Sequence, residues 1–501
     1  MRIQWFFLLM LSAATSARAS VEISSKPTQN MTCSGGVCTP TAKNANLNTA
    51  DLTNMLATSD VKVLTGNGAV TITITAPLTW ASGRRLTLDA SYNVSFRSPV
   101  SVIGQGGLTI ITGHGTPGGD LIFFSSAKIN FNDLGGSLII NRKRYALVGD
   151  VATLGADILA NRSGLYALAK DYDALSDGTY STPPVSTTLQ GLFEGLGHTV
   201  ANLSVSDRRA RCVGLFAKIG PKGTVRDIVM KEATILPSRG RYAREGALAG
   251  CNDGTVANSS ASGTVSGWWV GGLVGYNEGL VTRCSSDAMV EGKFAGGLVG
   301  ISDGTISYSY ATGAVTGLFE GKRVGMVIYA GGLAGVASTV IQSFATGPVS
   351  VHGQQYLVDR HSGAGGLVGE AEGAISDSYS AGPVSSTGTS VIGGLIGRGH
   401  RAKIRSVYAI DAVAAGEDEG AAQGGLAGRI DADKGMEDAY WNLDTSGQVR
   451  GCGQGDCSGV SGLTDEQLKS VLPNGLAPEI WAQNKAINNG YPYLLGNPPP
   501  R

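Results

Sequence analysis

The motif Gly-x-Leu-x-Gly recurs through the second half of the 501-residue chain and constrains the fold more than any other feature. Successive copies follow at intervals of 25 to 35 residues, each with a glycine-containing turn and a β-rich stretch such as Ile306 to Gly313 behind it. Repetition at this spacing is typical of proteins built from stacked structural units. The first glycines of the copies are Gly246, Gly271, Gly296, Gly331, Gly365, Gly393 and Gly424.

Each repeat has room for three short strands separated by glycine turns. A helix is not expected, because glycine interrupts the pattern frequently and no apolar period of 3.6 residues persists. One repeat cannot bury its apolar residues alone, but stacking at the ~4.8 Å strand spacing would bury the Leu, Val and Ile of every copy. The sequence therefore predicts an all-β fold, a right-handed parallel β-helix (solenoid) with short capping helices. In this fold the motif is scaffold and not a phosphate-binding loop.

The repeated residues also carry a family resemblance. Gly271-Gly-Leu-Val-Gly275, together with the Ile-Ser-x-Ser-Tyr-Ala-Thr-Gly stretch that ends at Gly313, is similar to the GLUG repeat of large secreted bacterial proteins. That family includes filamentous haemagglutinin-like adhesins, and the match covers roughly residues 213–441. Residues 44–149 resemble the haemagglutinin-type β-helix that often precedes such repeats. The resemblance implies an adhesin-like protein.

The first residues have the composition of a secretory signal peptide. Arg2 precedes an apolar run from Trp5 to Leu11, and small residues surround a cleavage site near Ala19. The alternative is an uncleaved anchor, but this run is shorter than the ~20 residues that span a bilayer. No later segment is predicted to cross a membrane, so the mature chain is expected to be extracellular or on the bacterial outer surface.

The changes of pattern along the chain predict its division into segments. In order, these are the signal peptide (1–19), an N-terminal segment with a cysteine pair (20–43), the haemagglutinin-like β-helix (44–149), a connecting segment (150–210), the GLUG-repeat β-solenoid (211–441) and a C-terminal cap (442–501).

Short helices are predicted at three places outside the repeats. The segment Asn48 to Asp51 is predicted to cap a helix that ends near Ala57. Residues 151–160 are a second candidate helix, and Thr464 can cap a third. Prolines at 473, 478, 492 and 498–500 block further strand addition in the tail. The tail is therefore expected to cover the open end of the solenoid, which would otherwise offer unpaired strand edges.

Seven cysteines in an exported chain favour disulfides over metal binding. Cys33 with Cys38, and Cys452 with Cys457, can each close a small glycine-rich loop, so these two bridges are predicted. The spacing within each pair is C-x4-C, whereas zinc sites use pairs at C-x2-C spacing. Three cysteines remain, of which at least one must be free or bonded to another chain: Cys212, Cys251 and Cys284.

Composition and motifs point away from catalysis and nucleic-acid binding. The 39 basic and 39 acidic residues cancel, and no basic cluster suggests nucleic acid. Acids such as Asp303, Glu370 and Asp431 lie in variable turns, and the five histidines have no zinc-binding spacing. We therefore predict no catalytic residues, no metal, no cofactor and no enzymatic activity. Two alternatives stay open: a β-helix polysaccharide lyase or hydrolase, and a structural protein of an extracellular matrix or biofilm.

The segments that lead into each motif differ in length, from five residues at 266–270 to fifteen at 316–330. Equivalent positions stack in a repeat fold, so these segments should form one ridge, and insertions on one face often mark a binding face. The expected ligand is a cell-surface or matrix glycan or protein. For Trp268 and Trp269, a role in covering the apolar column is an equally open alternative. The predicted ligand-binding residues are Trp268, Trp269, Phe319, Arg323, Tyr329, Tyr356, Arg360 and His361.

Overall fold

A computed structural model describes residues 19–500, apart from 116–117, 125, 239, 241, 319–326, 353–361, 388–390, 416–421 and 432–434. The predicted signal peptide therefore lies outside the described residues, except for Ala19. The chain divides into two compact units, Met1–Leu147 and Val148–Arg501. The described part is all-β in character, with large and mostly parallel sheets and a few short helices. None of its helices has the length and apolar character needed to span a membrane.

Unit 1 consists of three sets of parallel strands. The first set, in spatial order, contains Leu121–Phe123, Val94–Phe96, Thr71–Ile74, Ser20–Ser24 and Ala45–Asn48. The second contains Ile129–Phe131, Val100–Val102 and Leu78–Trp80. The third contains Ser137–Ile140, Gly107–Ile111, Arg85–Asp89, Val61–Leu64 and Val37–Pro40, with Met31–Ser34 and Lys143–Val148 added antiparallel at its two ends.

One helix covers part of the unit 1 core. It is α1 (Thr49–Thr58), and the side chain of Asn48 caps it by accepting hydrogen bonds from Ala50 N and Asp51 N. This confirms the predicted cap and places the helix end one residue beyond the predicted Ala57. Leu52 and Leu56 are buried on its inner face, so α1 has one apolar side.

Unit 2 begins with the second helix, α2 (Val151–Ala160), which has the predicted bounds. The side chain of Asp150 caps it by accepting a hydrogen bond from Thr153 N, a cap that the sequence analysis did not identify. The strands that follow stack in parallel columns. We call the column that ends on the first glycine of each motif the first motif column. Its strands are Cys212–Val213, Arg244–Gly246, Ser260–Gly271, Met289–Gly296, Tyr329–Gly331, Gly363–Gly365, Val391–Gly393 and Gln423–Gly424.

The second motif column leaves each motif and is also parallel throughout. Its strands are Phe216–Ile219, Ala249–Asn252, Val274–Asn277, Val299–Ser307, Ala334–Ile341, Val368–Ser380, Ile396–His400, Ala427–Asp431 and Cys452–Gly455. The first glycines of neighbouring repeats are partners in this stacking; for example, Gly271 pairs with Gly296 and Gly296 with Gly331. The motif therefore keeps one place in every repeat, although the repeats differ in length.

The other strands of unit 2 extend the same stacking. One group is Leu165–Leu168, Leu192–Glu194, Thr224–Arg226, Thr255–Ala257 and Leu280–Thr282. A second group is Thr179–Tyr180, Ser204–Val205, Val315–Leu318, Val349–His352, Val384–Thr387 and Val413–Ala415. The predicted connecting segment 150–210 thus supplies strands to the repeat stack, because its backbone pairs with the repeats that follow.

The motif leucines form the centre of the unit 2 core. Leu273, Leu298 and Leu333 have no exposed surface, as the repeat pattern predicts. The first glycine of each motif permits a close turn, since a Cβ on Gly271 would lie 2.1 Å from the carbonyl oxygen of Val274. A short ladder of buried side chains adds polar pairing, in which Asn252 Nδ2 donates to Asn277 Oδ1 at 2.7 Å.

A third column carries stacked aromatic rings, and we call it the aromatic column. Its rings are Tyr310, Phe344, Tyr379 and Tyr408, with centroid separations of 4.8 to 5.0 Å. Its strands are Tyr172–Asp173, Thr199–Ala201, Val229–Ile235, Ser285–Ser286, Tyr310–Ala311, Phe344–Ala345, Lys403–Ala409, Met436–Asn442 and Val460–Leu463, together with parts of Ser260–Gly271 and Val368–Ser380.

The tail differs in placement from the predicted end cap. Its first part, with α3 (Leu443–Ser446), continues the stack through Cys452–Gly455 and Val460–Leu463. Beyond Thr464, which caps α4 (Asp465–Ser470) as predicted, the chain runs along the aromatic column, and Trp481–Ala482 pairs antiparallel with Tyr493–Leu494. Asn497 Nδ2 donates to Ser309 O at 3.2 Å, several repeats away from the end. The stacked rings explain this path, because they offer a large apolar face that needs cover.

Candidate functional site

The site begins with outward-facing positions that the stacking brings into line. In the first motif column Arg244, Trp269, Phe294 and Tyr329 are successive partners, two residues before the first glycine of each motif. The next residue inward, such as Val270, is fully buried. Side chains at alternate positions of a strand point to opposite faces, so this set lines the outer face.

The second motif column adds a parallel line of side chains. In this column Cys251, Tyr276, Ile301 and Val336 are successive partners. Tyr276 packs against Trp269 at 5.4 Å between ring centroids. The aromatic residues of these two lines form a continuous surface, to which Tyr242 adds Trp268 because its ring contacts both Trp268 and Trp269. We call this surface the aromatic strip: Tyr242, Trp268, Trp269, Tyr276, Phe294 and Tyr329.

The rings of the strip contact one another edge to face or tilted. Trp269 lies 6.2 Å from Phe294, and Phe294 lies 5.7 Å from Tyr329, measured between centroids. Tyr242 is 52% exposed, and its ring reaches both Trp268 and Trp269 at 6.0 and 5.8 Å. Trp268, Trp269 and Phe294 are half-buried. The strip therefore keeps ring surface in contact with solvent while neighbouring rings hold it in place.

Two cations lie over these rings. The guanidinium carbon of Arg244 is 3.9 Å from the centroid of Tyr276 and 5.0 Å from that of Trp269. The ammonium of Lys293 is 4.9 Å from the centroids of both Trp268 and Phe294. Cations in such positions are attracted by the negative face of the ring.

Two acidic residues, Glu278 and Asp303, border the strip beside Tyr276. The hydroxyl of Tyr276 donates to Asp303 Oδ2 at 2.5 Å and approaches Glu278 Oε1 at 3.1 Å. Burial, and then the hydrogen bonds to these carboxylates, raise the pKa of Tyr276 above its ordinary value. Tyr276 thus remains a neutral donor. Its hydroxyl is held by the two carboxylates, and its ring is held by Trp269 and Arg244.

Further along the second motif column the outward residues become charged. Arg398 lies 3.4 Å from Glu370, 2.8 Å from Asp431 and 3.4 Å from the hydroxyl of Tyr329. Arg429 also contacts Asp431, at 2.8 Å. Burial acts to raise the pKa of Asp431, but the hydrogen bonds from the two arginines hold it below the ordinary value. This network is charge-compensated, and it borders the strip at Tyr329.

A buried carboxyl group supports the strip from inside. Glu245 has no exposed surface, and its two oxygens accept hydrogen bonds from Trp268 N at 3.1 Å and Ser238 N at 3.2 Å. Burial raises the pKa of Glu245 to about 8. Its aligned neighbours in the column are apolar, among them Val270 and Ala295. Glu245 therefore positions the backbone that carries the two tryptophans.

Only part of the predicted ligand-binding set can be compared with the structure. Trp268, Trp269 and Tyr329 lie together in the strip, although Tyr329 is buried by its neighbours. The remaining predicted residues lie outside the described residues: Phe319, Arg323, Tyr356, Arg360 and His361.

The sequence analysis did not select several residues of the strip or the two cations that lie over it. Tyr242, Arg244 and Tyr276 lie outside the variable segments that were used to choose candidates, and Lys293 lies within one but was not selected. A usable signal exists, since Tyr276 stands five residues after the first glycine of its motif, where other repeats carry Ile301 and Val336. Aligning the repeats by their glycines would have identified it.

The cysteines near the site form a bridge that the sequence left open. Cys212 is bonded to Cys251, and Arg244 Nη1 lies 3.4 Å from the sulfur of Cys251. Cys33 is bonded to Cys38, and Cys452 to Cys457. Cys284 is a buried free thiol, and burial raises its pKa to about 12.

Within the described residues, no group of three or more His, Cys, Asp or Glu side chains could hold a metal ion.

Comparisons with known proteins give local and distant similarities. No protein-family profile matches the chain. Halomucin of Haloquadratum walsbyi is 33% identical over 122 residues, which make up 24% of this chain and 1% of halomucin. A solved structure from Bacteroides ovatus, provisionally assigned as an immunoglobulin A1 protease, aligns at 16% identity with a TM-score of 0.35, covering 70% of this chain and 93% of that one. The chain thus spans a very small part of the relative that it resembles in sequence.

Proposed function

We propose that this protein is an exported, non-catalytic repeat protein that binds glycans at a cell surface or in an extracellular matrix through its aromatic strip. The observation that carries the proposal is the row of half-buried rings around Trp269, flanked by Arg244 and Lys293. Binding surfaces are enriched in tryptophan, tyrosine and arginine, which combine apolar area with polar recognition.

The chemistry of the strip suits a sugar ring. An aromatic face carries partial negative charge and attracts the polarised C–H bonds on one face of a pyranose. Hydroxyl groups at the sugar's edge need hydrogen-bond partners, and Glu278 and Asp303 lie beside Tyr276 to accept them. The rings form a line along the stack of repeats, which favours a polymer with several sugar units over a single compact ligand.

The fold proposed to present this strip is a right-handed parallel β-helix related to GLUG-repeat adhesins. The support is the parallel register, in which each motif glycine pairs with the motif glycine of the next repeat. Such stacking places one position of each repeat above the same position of the next, so a line of ligand contacts follows. The variable segments enter the first motif column directly before the strip, which is where a binding ridge is expected.

An extracellular location is part of the proposal. Three disulfides support it, because bonds of this kind persist in oxidising compartments. The local similarity to halomucin is a second support. The expected signal peptide, cleaved near Ala19, would supply the export route.

Glycan-array binding followed by titration of the best sugar tests the proposal. Trp269→Ala and Phe294→Ala should each lower the affinity at least tenfold, because each removes a stacking surface. Tyr308→Ala is the matched control, since Tyr308 is also half-buried beneath an arginine, with Arg283 5.3 Å from its ring, and is not part of the strip.

The outcomes separate the competing functions. Loss of binding in both strip variants, with circular dichroism unchanged and the Tyr308 variant normal, supports the proposal. Release of reducing or unsaturated sugar ends by the wild-type protein would overturn the non-catalytic assignment. Binding of a purified surface protein but of no glycan would overturn the ligand class.

A further inference from the structure

Lys293 is unusual among the cations of unit 2. The whole residue is only 8% exposed, and its ammonium contacts the rings of Trp268 and Phe294. The ammonium has no hydrogen-bond or ion-pair partner among the described residues. Burial lowers the pKa of Lys293, because the charged form loses contact with water. Nζ is not one of the fully buried polar atoms of the described residues, so the unpaired ammonium still reaches the surface, where an anionic ligand can contact it.

Two other poorly exposed cations of unit 2 have acidic partners. Arg226 Nε lies 2.6 Å from Glu194 Oε2, and Arg398 Nη2 lies 2.8 Å from Asp431 Oδ2. Pairing of this kind is the usual condition for burying charge. Lys293 thus differs from these two arginines, and its ammonium lies against two rings of the aromatic strip.

The neighbouring groups are hydrogen-bond donors that also lack acceptors. Within the described part of the chain, Arg244 Nε and Trp269 Nε1 are buried and have no acceptor. Arg244 lies over the ring of Trp269, and Lys293 lies over Phe294, whose ring contacts Trp269. The Trp269–Phe294 ring pair is therefore flanked by a cation on each side.

We infer that the strip binds acidic glycans, with a sugar ring stacked on Trp269 and Phe294 and its carboxylate or sulfate group held by Lys293 and Arg244. This inference rests on the proposed function and names the ligand class of the same site. An anionic group supplies the partner that the ammonium of Lys293 lacks, and charge-assisted hydrogen bonds are about twice as strong as neutral ones. Sugar hydroxyls could accept hydrogen bonds but could not compensate the charge of Lys293.

The two acids beside Tyr276 argue against a surface that binds polyanions in general. Asp303 and Glu278 border the strip at Tyr276, so a ligand with charge on every side would meet repulsion there. A glycan with spaced acidic groups and free hydroxyls can place an acidic group at Lys293 and hydroxyls at Glu278 and Asp303. Nucleic acid, with a phosphate at every residue, does not.

Isothermal titration against three polymers tests the inference: polygalacturonate for carboxylates, heparin for sulfates, and dextran as the neutral sugar. Wild-type protein should bind at least one acidic polymer more than tenfold tighter than dextran. Lys293→Met keeps the apolar stem and should remove that preference, whereas Lys293→Arg should retain it. Lys231→Met is the control, because Lys231 is 60% exposed and lies in the aromatic column's strand Val229–Ile235.

Each result decides for or against the inference, separately from the proposed function. A preference for polygalacturonate or for heparin that Lys293→Met abolishes supports it and identifies the anionic group. Equal binding of acidic and neutral polymers, or an acidic preference that survives Lys293→Met in a folded protein, overturns it. Trp269-dependent dextran binding with no acidic preference would leave the proposed function standing and the inference refuted. No binding to any glycan would refute both.

Discussion

The disulfide between Cys212 and Cys251 should stabilise the protein more than the bridge between Cys452 and Cys457. Both bridges lie in unit 2, but the first spans a sequence separation of 39 residues and the second a separation of 5. In the chain-entropy description, a bridge restricts the unfolded chain more when it closes a longer loop. Comparing the stability lost when each bridge is removed therefore measures the effect of loop length.

The magnitudes follow from the separations. For a loop of 39 residues the entropy removed from the unfolded chain is about 13 cal/mol/K, equivalent to about 4 kcal/mol at 25 °C. For a loop of 5 residues the same relation gives about 7 cal/mol/K, or about 2 kcal/mol. Replacing both cysteines of a pair by alanine should lower the free energy of unfolding by these amounts. Each double variant loses two sulfur atoms, so the packing costs are similar.

Urea unfolding followed by tryptophan fluorescence, without reductant, measures the two losses. Cys284 should not interfere by exchange, because its thiol is buried with a pKa raised to about 12, and the thiolate is the reactive form. Cys284→Ser is the control for that point. An equal loss in the two double variants, or a larger loss for the Cys452 and Cys457 pair, would refute the loop-length argument.

Three further predictions concern the core, the tail and pH. Leu298→Asp should lower the free energy of unfolding by several kcal/mol, because the leucine is fully buried. Met289→Asp is the control: Met289 is 59% exposed, so this change should alter the stability by less than about 0.5 kcal/mol. Equal melting temperatures of the two variants would contradict the assigned strand faces. Trp481→Ala should cost about 3–5 kcal/mol because the ring is buried against the aromatic column, and an unchanged unfolding midpoint would show that the tail is not part of the cooperative unit. Burial raises the pKa of Glu245 from 4.5, and that of Asp411 from 3.8, to about 8 in each case. The folded protein therefore retains protons that the unfolded chain releases, and stability should fall as pH rises from about 5 through 8. Glu245→Gln combined with Asp411→Asn should flatten this dependence, and a melting temperature that rises over the same interval would contradict the sign.

The sequence was most informative where the controlling interaction is local. Asn48 and Thr464 cap helices through hydrogen bonds to backbone groups two or three residues away, and each was predicted from its neighbours. The bridges Cys33–Cys38 and Cys452–Cys457 close short loops, so their partners stand close together in the chain.

The path of the tail required long-range information. Prolines predict that strand addition stops, but they do not indicate where the chain goes next. The stacked rings from Tyr310 to Tyr408 come from different repeats, and only the aligned register creates the apolar face on which Trp481 packs. The tail therefore lies beside the repeats because burial of that face stabilises it.

The sequence by itself determined the repeat period, the burial of Leu273, Leu298 and Leu333, and the all-β character, because each follows from residue patterns within one repeat. Only the tertiary structure decided which side chains of different repeats become neighbours. Lys293 meets Trp268, and Arg244 meets Tyr276, through strand pairing across a gap of 25 or more residues whose length varies along the chain. Short-range patterns assign a side chain to a face, but backbone hydrogen bonding between repeats sets the register and thereby the composition of the aromatic strip.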